Sequence, residues 1–275
     1  MQRFQNILFP VDFSDHCRSV APAVAALARR FGAEVTLFHA LDMPSNAYID
    51  WEAFLTLVDV PAIHRHATRQ LDHYLVDEMQ GVRTRRLLSD GAAATSIVDC
   101  ARNQGFDLIA MPSRGLGKFR SLLLGSVTER VLHDSSCPVW TEAHQENEAP
   151  PPLDYHSILC SIDLTPASVG VLRWAHRFAA EYGARLQVIH ATEDDWPEVR
   201  RFHEESYVRI QREVGQEAPF EVVGGPLVRA VEEAVRRTAA DLLVIGRGHL
   251  QGTFGRLRTH AHLLIRQSVC PVLSV

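Results

Sequence analysis

The residues whose types and spacing best fit a chemical role lie between Asp107 and Thr128. A short apolar run is followed by a loop with glycines and basic side chains, and then by Gly125-Ser126 at the start of an apolar-periodic segment. A strand, a glycine-bearing loop and a helix N-terminus in this order present backbone N–H groups that have no intrahelical partner. Such groups bind phosphate and other anions, and glycine lets the anion approach the backbone closely. This arrangement predicts an anion site.

The start of the expected helix has two interpretations. Residues 126–129 read S-V-T-E, the S-x-x-E pattern of a capping box, in which Ser126 only caps the helix. In the second interpretation, the backbone N–H groups of Ser126 and Val127 also donate to a phosphate. The helix dipole contributes only about 0.3–1 kcal/mol to such binding. We therefore expect the nearby Arg114 or Lys118 to strengthen it.

A further candidate is Asp12, which follows the first apolar run of the chain, ILFPV. Its carboxylate could accept hydrogen bonds from a ribose or from the amine of an adenine base. Asp12 also stands where residues that start a helix are common, so a purely structural role is the alternative. Asp163 occupies the matching place later in the chain and has the same two interpretations.

The chain repeats itself, and the repeat shows which elements must position these residues. FQNILFPVD at 4–12 matches YHSILCSID at 155–163, and the tripeptide CPV occurs near the end of both copies. The segment between the copies, AHQENEAPPPLD, is polar and ends in prolines, which is typical of a semi-rigid linker. We predict an N-terminal domain over 1–142 with the candidate site, a linker over 143–154, and a C-terminal domain over 155–275 with an altered loop.

Apolar patterning predicts alternating strands and helices in each copy. Continuous apolar runs such as ILFPV and LIAM are typical of strands that are covered on both faces. Strands alternating with helices indicate an α/β fold with a parallel sheet and right-handed crossovers. The first helix is expected to start at Ser14 and to end at Gly32. In the first copy the predicted strands are 4–11, 33–40, 82–88, 107–111 and 137–141, and the predicted helices are 14–31, 62–80, 92–104 and 126–135.

The composition is that of an ordinary globular protein and argues against several functional classes. Of the 275 residues 46% are hydrophobic and 22% are charged, and the net charge of −5 gives no sign of extensive nucleic-acid binding. The five cysteines form no CxxC pair, which favours a reducing compartment. There is no run of about 18 apolar residues and no leader-like start. We expect a cytoplasmic protein without a membrane span.

With the two copies aligned, the chain resembles a tandem universal stress protein. The resemblance is carried by V-D-F-S after the first strand, H-A at the end of the second, and a phosphate-loop pattern after the fourth. The family pattern is glycine, two residues, glycine, nine residues, glycine, then Ser or Thr. Here Gly115, Gly125 and Ser126 stand in register, whereas Pro112 replaces the first glycine. Proline has no N–H, so any ligand contact by that N–H is lost here.

The resemblance implies two doubly wound domains, each a five-stranded parallel sheet in the order 3-2-1-4-5 with helices on both faces. It also implies that the last strands of the two units pair within the chain and form an intrachain pseudo-dimer. ATP-binding members use the loop for the phosphates, and the first-strand aspartate with the end of strand two for adenosine. The candidate binding residues are then Val11, Asp12, Ala40, Met111, Pro112, Ser113, Arg114, Gly115, Lys118, Gly125, Ser126, Val127 and Thr128.

The second copy departs from the pattern in a complementary way. Gly246 keeps the first glycine, but Arg258-Thr259 stand where the first copy has Gly125-Ser126. A side chain as large as that of Arg258 blocks close approach to the backbone, so we predict a degenerate site. The basic loop could instead hold an anion through its side chains. The candidate residues of this copy are Asp163, Ala191, Gly246, Arg247, Gly248, Arg258 and Thr259.

The largest difference in length between the copies is the segment 41–60, which carries several aromatic residues, including Tyr48, Trp51 and Phe54. A short helix packed on the core is one interpretation. A lid over the first site or an oligomer contact is the other.

These observations predict a regulatory protein of the stress response that binds ATP, or AMP or ADP, mainly in its N-terminal half. Mg²⁺ could accompany ATP, but we assign no catalytic residue and no metal ligand, so we expect little or no hydrolysis. The alternative is a non-nucleotide interaction scaffold in which both sites are vestigial, and a weak ATPase that uses Asp12 ranks third. The identity of a protein partner and the association of two chains into a homodimer stay open.

Overall fold

The computed structural model describes residues 4–42, 59–113, 124–143, 151–194, 196–247 and 256–275, and gives only the backbone for 256–259. Strands and helices alternate along the described parts of the first copy. The strands are β1 Asn6–Pro10, β2 Glu34–Leu41, β3 Thr84–Asp90, β4 Leu108–Met111 and β5 Val139–Thr141. The helices are α1 Asp15–Phe31, α2 Val60–His73, α3 Ala93–Asn103 and α4 Ser126–Asp134. Most of the segment 41–60 and the middle of the predicted anion loop lie outside the described residues.

The second copy follows the same order of elements. Its strands are β6 Ser157–Ser161, β7 Arg185–Thr192, β8 Phe220–Gly224, β9 Leu242–Ile245 and β10 Val272–Ser274. Its helices are α5 Ser168–Tyr182, α6 Pro197–Val214, α7 Leu227–Thr238 and α8 Arg256–Gln267. None of the helices in the described part of the chain is long and apolar enough to cross a bilayer.

The ten strands form one sheet in the order β3-β2-β1-β4-β5-β10-β9-β6-β7-β8. Within each copy the neighbouring strands are parallel and follow the order 3-2-1-4-5, which confirms the predicted topology. The two copies meet at β5 and β10, which pair antiparallel with Thr141 opposite Val272 and Val139 opposite Ser274. The last strands of the two units therefore join within one chain, as the resemblance implied.

Helices cover both faces of the sheet, and each face has its own apolar core. One core lies under α1, α2, α5 and α6 and includes Ile7 and Phe9, whose side chains are fully buried. The other lies under α3, α4, α7 and α8 and includes Leu8, the residue between them. Successive side chains of a strand point to opposite faces, so continuous apolar runs are what a sheet covered on both sides requires.

Aromatic side chains lock the two copies together on the face under α1 and α5. The ring of Phe4 lies 3.9 Å from that of Phe31 in the first copy and 6.0 Å from that of Phe178 in the second. Trp140 is fully buried at the junction, and its Nε1 donates to the hydroxyl of Tyr155 over 3.0 Å. Buried aromatic clusters contribute large apolar areas, so this contact stabilises the packing of the two copies against each other.

The ends of α1 are as predicted. The hydroxyl of Ser14 accepts a hydrogen bond from the backbone N–H of Cys17 at 3.1 Å, and Gly32 ends the helix with a φ of 67°.

The prediction of a helix over 62–80 is wrong at its C-terminal end, because α2 stops at His73. The hydroxyl of Tyr74 donates to the carbonyl of Ser14 over 2.8 Å, and Leu75 is buried with a φ of 54°. Packing of these two side chains against α1 overrides the local preference for helix.

Candidate functional site

The predicted site lies where the strand order of the first copy reverses. β1 pairs with β2 on one side and with β4 on the other, so the chain leaves β1 and β4 in opposite directions. Ligands of open α/β sheets bind beyond the carboxyl ends of the strands at such a point. Val11 and Asp12 follow β1, Pro112 and Ser113 follow β4, and Ala40 lies near the end of β2. The structure thus brings these predicted residues to one edge of the sheet.

Asp12 takes part in the turn that starts α1. Its Oδ1 accepts from the backbone N–H of Ser14 at 3.0 Å and from the Sγ of Cys17 at 3.1 Å. Burial raises the pKa of this carboxyl, but the hydrogen bonds from Ser14 and Cys17 outweigh it and hold the pKa below its ordinary value. Asp12 is therefore ionised at neutral pH, and the bonds shown here end on Oδ1, which leaves Oδ2 for a ligand. The structural role is established, and ligand contact stays a prediction.

His39 ties the end of β2 to the end of β1. Its Nδ1 lies 2.7 Å from the carbonyl oxygen of Val11, and its ring lies 4.4 Å from that of Phe13. Phe13 has a φ of 62°, a conformation that side-chain-bearing residues rarely adopt. The His-Ala pair of the motif therefore has a structural role at its histidine, and it places Ala40 beside the turn of Asp12.

The two ends of the predicted anion loop are held together. The backbone N–H of Gly125 donates to the carbonyl of Ser113 over 2.9 Å, and the hydroxyl of Thr128 donates to the carbonyl of Pro112 over 2.9 Å. These bonds aim the N-terminus of α4 at the end of β4. Arg114, Gly115 and Lys118 lie outside the described residues, so their part in the site stays a prediction.

The capping-box prediction for α4 is wrong by one residue. The N-cap is Gly125, whose carbonyl accepts from the backbone N–H of Glu129 at 2.8 Å, and Ser126 is the exposed first residue of the helix. The N-cap Gly125 offers no side-chain cap. The first N–H groups of α4, among them those of Ser126 and Val127, are therefore left to other acceptors.

Glu142 is a residue of this site that the sequence analysis missed. Its carboxylate accepts from the backbone N–H of Ser113, at 3.0 Å for Oε1 and 2.8 Å for Oε2, and from the hydroxyl of Ser113 at 2.9 Å. The Nε2 of His16 lies 3.5 Å from Oε1. Only 7% of Glu142 is exposed. A signal existed in the repeat, because Glu142 follows β5 at the place where the second copy has Val275.

Comparison with known proteins agrees with the fold. The model of the universal stress protein family matches residues 3–141 and, separately, residues 154–275. The chain belongs to the universal stress protein family. Each copy is one unit of that family, so the resemblance seen in the loop extends over nearly the whole chain.

Individual relatives match either one copy of this chain or both. A universal stress protein of Thermus aquaticus is 34% identical over 139 residues, which are 50% of this chain and 96% of the relative. The crystal structure of a universal stress protein from Archaeoglobus fulgidus covers 98% of this chain and 95% of its own with a TM-score of 0.71 and 24% identity, which shows the tandem fold. A crystal structure of a universal stress protein in complex with cAMP, 25% identical with a TM-score of 0.36, covers 44% of this chain and 97% of its own.

In this universal stress protein the second copy repeats the aspartate of the Asp12 turn with a similar set of hydrogen bonds. The Oδ1 of Asp163 accepts from the backbone N–H and the hydroxyl of Thr165, at 3.1 and 2.7 Å, and from the hydroxyl of Ser168 at 2.7 Å. Leu164 has a φ of 60°, as Phe13 has in the first copy. The Nδ1 of His190 lies 2.9 Å from the carbonyl oxygen of Ile162.

A cleft of about 1190 Å³ lies beside this second turn. The candidate residues Asp163, Ala191, Gly246 and Arg247 line it, and so do residues at the C-terminal end of α4, in the first copy. Gly246 is in close contact with α5, since a Cβ added there would lie 3.2 Å from a methyl group of Val171. Gly248 and the side chains of Arg258 and Thr259 lie outside the described residues.

The guanidinium of Arg247 donates to carbonyls of the first copy, and whether it also contacts an anion stays a prediction. Its Nη1 donates to the carbonyl of Ser135 at 2.8 Å and to that of Leu132 at 3.4 Å, and its Nη2 donates to the carbonyl of Cys137 at 2.8 Å. These carbonyls lie at the end of α4, where a cation is favoured by the helix dipole. Burial lowers the pKa of Arg247 to about 10, so it stays charged at neutral pH.

Metal ligation was not predicted for this chain. Within residues 4–42, 59–113, 124–143, 151–194, 196–247 and 256–275, no group of three or more His, Cys, Asp or Glu side chains is placed to hold a metal ion.

Proposed function

We propose that this chain is a stress-response regulatory protein that binds ATP or another adenine nucleotide, mainly in its N-terminal half and with little or no hydrolysis. The observation that carries the proposal is the joining of β4 to α4. The bond from Gly125 to Ser113 brings the first N–H groups of an uncapped helix to the carboxyl end of β4. An uncapped helix start beside the switch point of an α/β sheet is a favourable place for a phosphate.

The backbone of Gly125 supports this interpretation. Its φ of −63° and ψ of 139° are values that any residue adopts, so conformation does not explain a glycine here. What glycine adds is the absence of a side chain, which lets a group approach the start of α4 closely. A phosphate is the group that such a helix start attracts most strongly.

The nucleotide would lie across the edge of the sheet. Its phosphates would accept from the N–H groups of Ser126 and Val127 and from the basic loop, and its ribose or base would reach the free oxygen of Asp12. The backbone of Val11 and the end of β2 at Ala40 would form the adenosine side of the site, while Met111 and Pro112 form its floor. Mg²⁺ would enter with the phosphates of ATP.

Little or no hydrolysis is proposed because the nearby carboxylates are engaged. The Oδ1 of Asp12 accepts a hydrogen bond at the start of α1, and both carboxylate oxygens of Glu142 accept from the backbone N–H of Ser113. A general base must be free to accept a proton from the attacking water. Glu142 is not free in this sense, and the free oxygen of Asp12 is the one assigned to the ribose or base.

The test is to denature freshly purified protein and to identify the released nucleotide, followed by calorimetry of nucleotide-free protein with ATP and Mg²⁺. Close to one adenine nucleotide per chain, or saturable heat on adding ATP, is the expected result. Absence of both would reject nucleotide binding in either copy.

A non-nucleotide scaffold is the second candidate, and one observation favours it. One described donor residue of each loop is engaged within the protein, since Ser113 donates to Glu142 and Arg247 donates to carbonyls of the first copy. In that case the joined sheets and the helices that cover them would form the surface that binds a partner.

We also propose the division of the chain into an N-terminal domain over 1–142, a linker over 143–154 and a C-terminal domain over 155–275.

A further inference from the structure

A carboxylate of the protein occupies the start of the predicted anion loop. Glu142 receives two hydrogen bonds from the backbone N–H of Ser113 and one from its hydroxyl, and His16 lies within 3.5 Å. Glu142 and Ser113 are 7% and 0% exposed. We propose that Glu142 is a specificity-determining residue, an internal anion that competes with phosphate for the donors of this loop and disfavours highly charged phosphate ligands. This inference rests on the proposed function.

The donors around the buried Glu142 favour the charged form of its carboxyl group. Removing a carboxylate from water is costly unless hydrogen bonds and charges replace the lost hydration. At Glu142 the three bonds from Ser113 provide that replacement. The position two residues beyond β4 is thus a place where an anion is held, and the anion held there belongs to the protein.

The internal carboxylate and the helix start are linked through a single residue. Ser113 donates its N–H to Glu142 and accepts from the N–H of Gly125 with its carbonyl. A phosphate at the N-terminus of α4 therefore comes close to the charge of Glu142. The carboxylate of Glu142 and a nearby phosphate carry like charges in a partly buried site, so they repel each other. The repulsion grows with the charge of the ligand. A neutral nucleoside does not experience it.

The test compares three forms of the full chain, the wild type, Glu142→Gln and Glu129→Gln. Glutamine at 142 retains one acceptor oxygen for Ser113 and removes the charge, although its amide NH2 replaces the second oxygen. Glu129 is the matched control, because it lies in the first turn of α4 and its side chain is 57% exposed. Calorimetry is carried out with inorganic tripolyphosphate, ATP and adenosine, after circular dichroism has verified the fold of each variant.

The expected result is that Glu142→Gln binds tripolyphosphate and ATP about ten-fold more tightly, a difference of one decade in the dissociation constant. Adenosine affinity should stay the same, and Glu129→Gln should resemble the wild type because exposed charges are screened by salt. Tripolyphosphate affinity that is unchanged or weaker in Glu142→Gln, including no binding to any form, overturns the inference.

Failure of the inference and failure of the proposed function give different patterns. If Glu142→Gln gains tripolyphosphate affinity while no form binds ATP or adenosine, the internal anion is real and the nucleotide proposal fails. If the wild type binds ATP and Glu142→Gln binds ATP and tripolyphosphate no better, the nucleotide proposal stands and Glu142 only positions Ser113.

Discussion

Ser113 and Arg247 occupy the same place in the two copies, two residues after the end of β4 and of β9, yet they have different partners. Ser113 is held inside its own copy by Glu142 and stays close to the start of α4. Arg247 reaches into the other copy and binds the carbonyls at the end of α4. One helix therefore has the loop of the first copy at its N-terminus and an arginine of the second copy at its C-terminus.

The turns after β1 and β6, by contrast, are almost the same. Asp12 and Asp163 each accept hydrogen bonds that start a helix, and each is followed by a residue of positive φ. The copies have thus kept the turn and changed the loop. An aspartate in this turn is explained by its structural role, so it is weak evidence for a ligand. The loops after β4 and β9 are where we expect the copies to differ in function.

The largest effect is expected for Arg247→Ala. The substitution leaves three carbonyls at the end of α4 without their cation and removes a buried side chain, so the free energy of unfolding should fall by about 2–4 kcal/mol. Denaturant unfolding measures it. Arg201→Ala is the control, because the side chain of Arg201 is 82% exposed, and it should cost less than about 0.5 kcal/mol. Equal losses of unfolding free energy in the two variants would show that the contact of Arg247 with the first copy stabilises the protein no more than an exposed arginine does.

Gly125→Arg should give the next largest effect, because it copies the second loop into the first. We expect ATP affinity to fall by about 100-fold or more, since the side chain fills the space before the start of α4, while unfolding stability changes little at these dihedral angles. Gly125→Ala, which fits the same backbone, should retain most of the binding. Calorimetry with ATP distinguishes the two variants, and full affinity in Gly125→Arg would move the site elsewhere.

Asp12→Asn and Asp163→Asn provide a more exact comparison of the two turns. Both variants lose the charge that accepts the helix-starting bonds, so each should lower unfolding stability by about 1 kcal/mol. Only Asp12→Asn should also weaken ATP binding, by about ten-fold. If ATP affinity falls equally in both variants or in neither, the assignment of the ligand to the first copy is wrong.

The smallest expected effect is on acid stability. Burial raises the pKa of Asp163, but hydrogen bonds from Thr165 and Ser168 outweigh it and hold the pKa below the ordinary 3.8. A carboxyl with a lowered pKa contributes stability above its unfolded pKa and loses it as the pH falls through the folded value. Unfolding stability of the wild type should therefore decline more steeply below pH 3.8 than that of Asp163→Asn. Urea unfolding at several pH values gives the stability of the two proteins as a function of pH. Parallel stability curves for the wild type and Asp163→Asn would contradict the prediction.

The α/β class follows from the alternation of apolar patterns along the chain, whereas the strand order and the pairing of the last strands were implied by the resemblance to the family. Apolar runs such as ILFPV and LIAM and the repeat of FQNILFPVD as YHSILCSID are local patterns, and local patterns carry the element order. The boundaries were less predictable where packing decides them. α2 ends at His73 because Tyr74 and Leu75 turn inward against α1, a contact that no short window of sequence contains.

The residues of the candidate site also fall into two groups, those recognised in the sequence and those whose partners only the fold brings together. The candidacy of Asp12, Gly115 and Gly125 rests on the chain alone, because glycines beside a helix start predict an anion site from short-range geometry. The partners of Ser113 and Arg247 do not, because Glu142 lies 29 residues from Ser113 and Ser135 lies 112 residues from Arg247. Contacts over such separations exist only after β5 and β10 have joined the sheet, so folding of both copies decides which loop donors a ligand can reach.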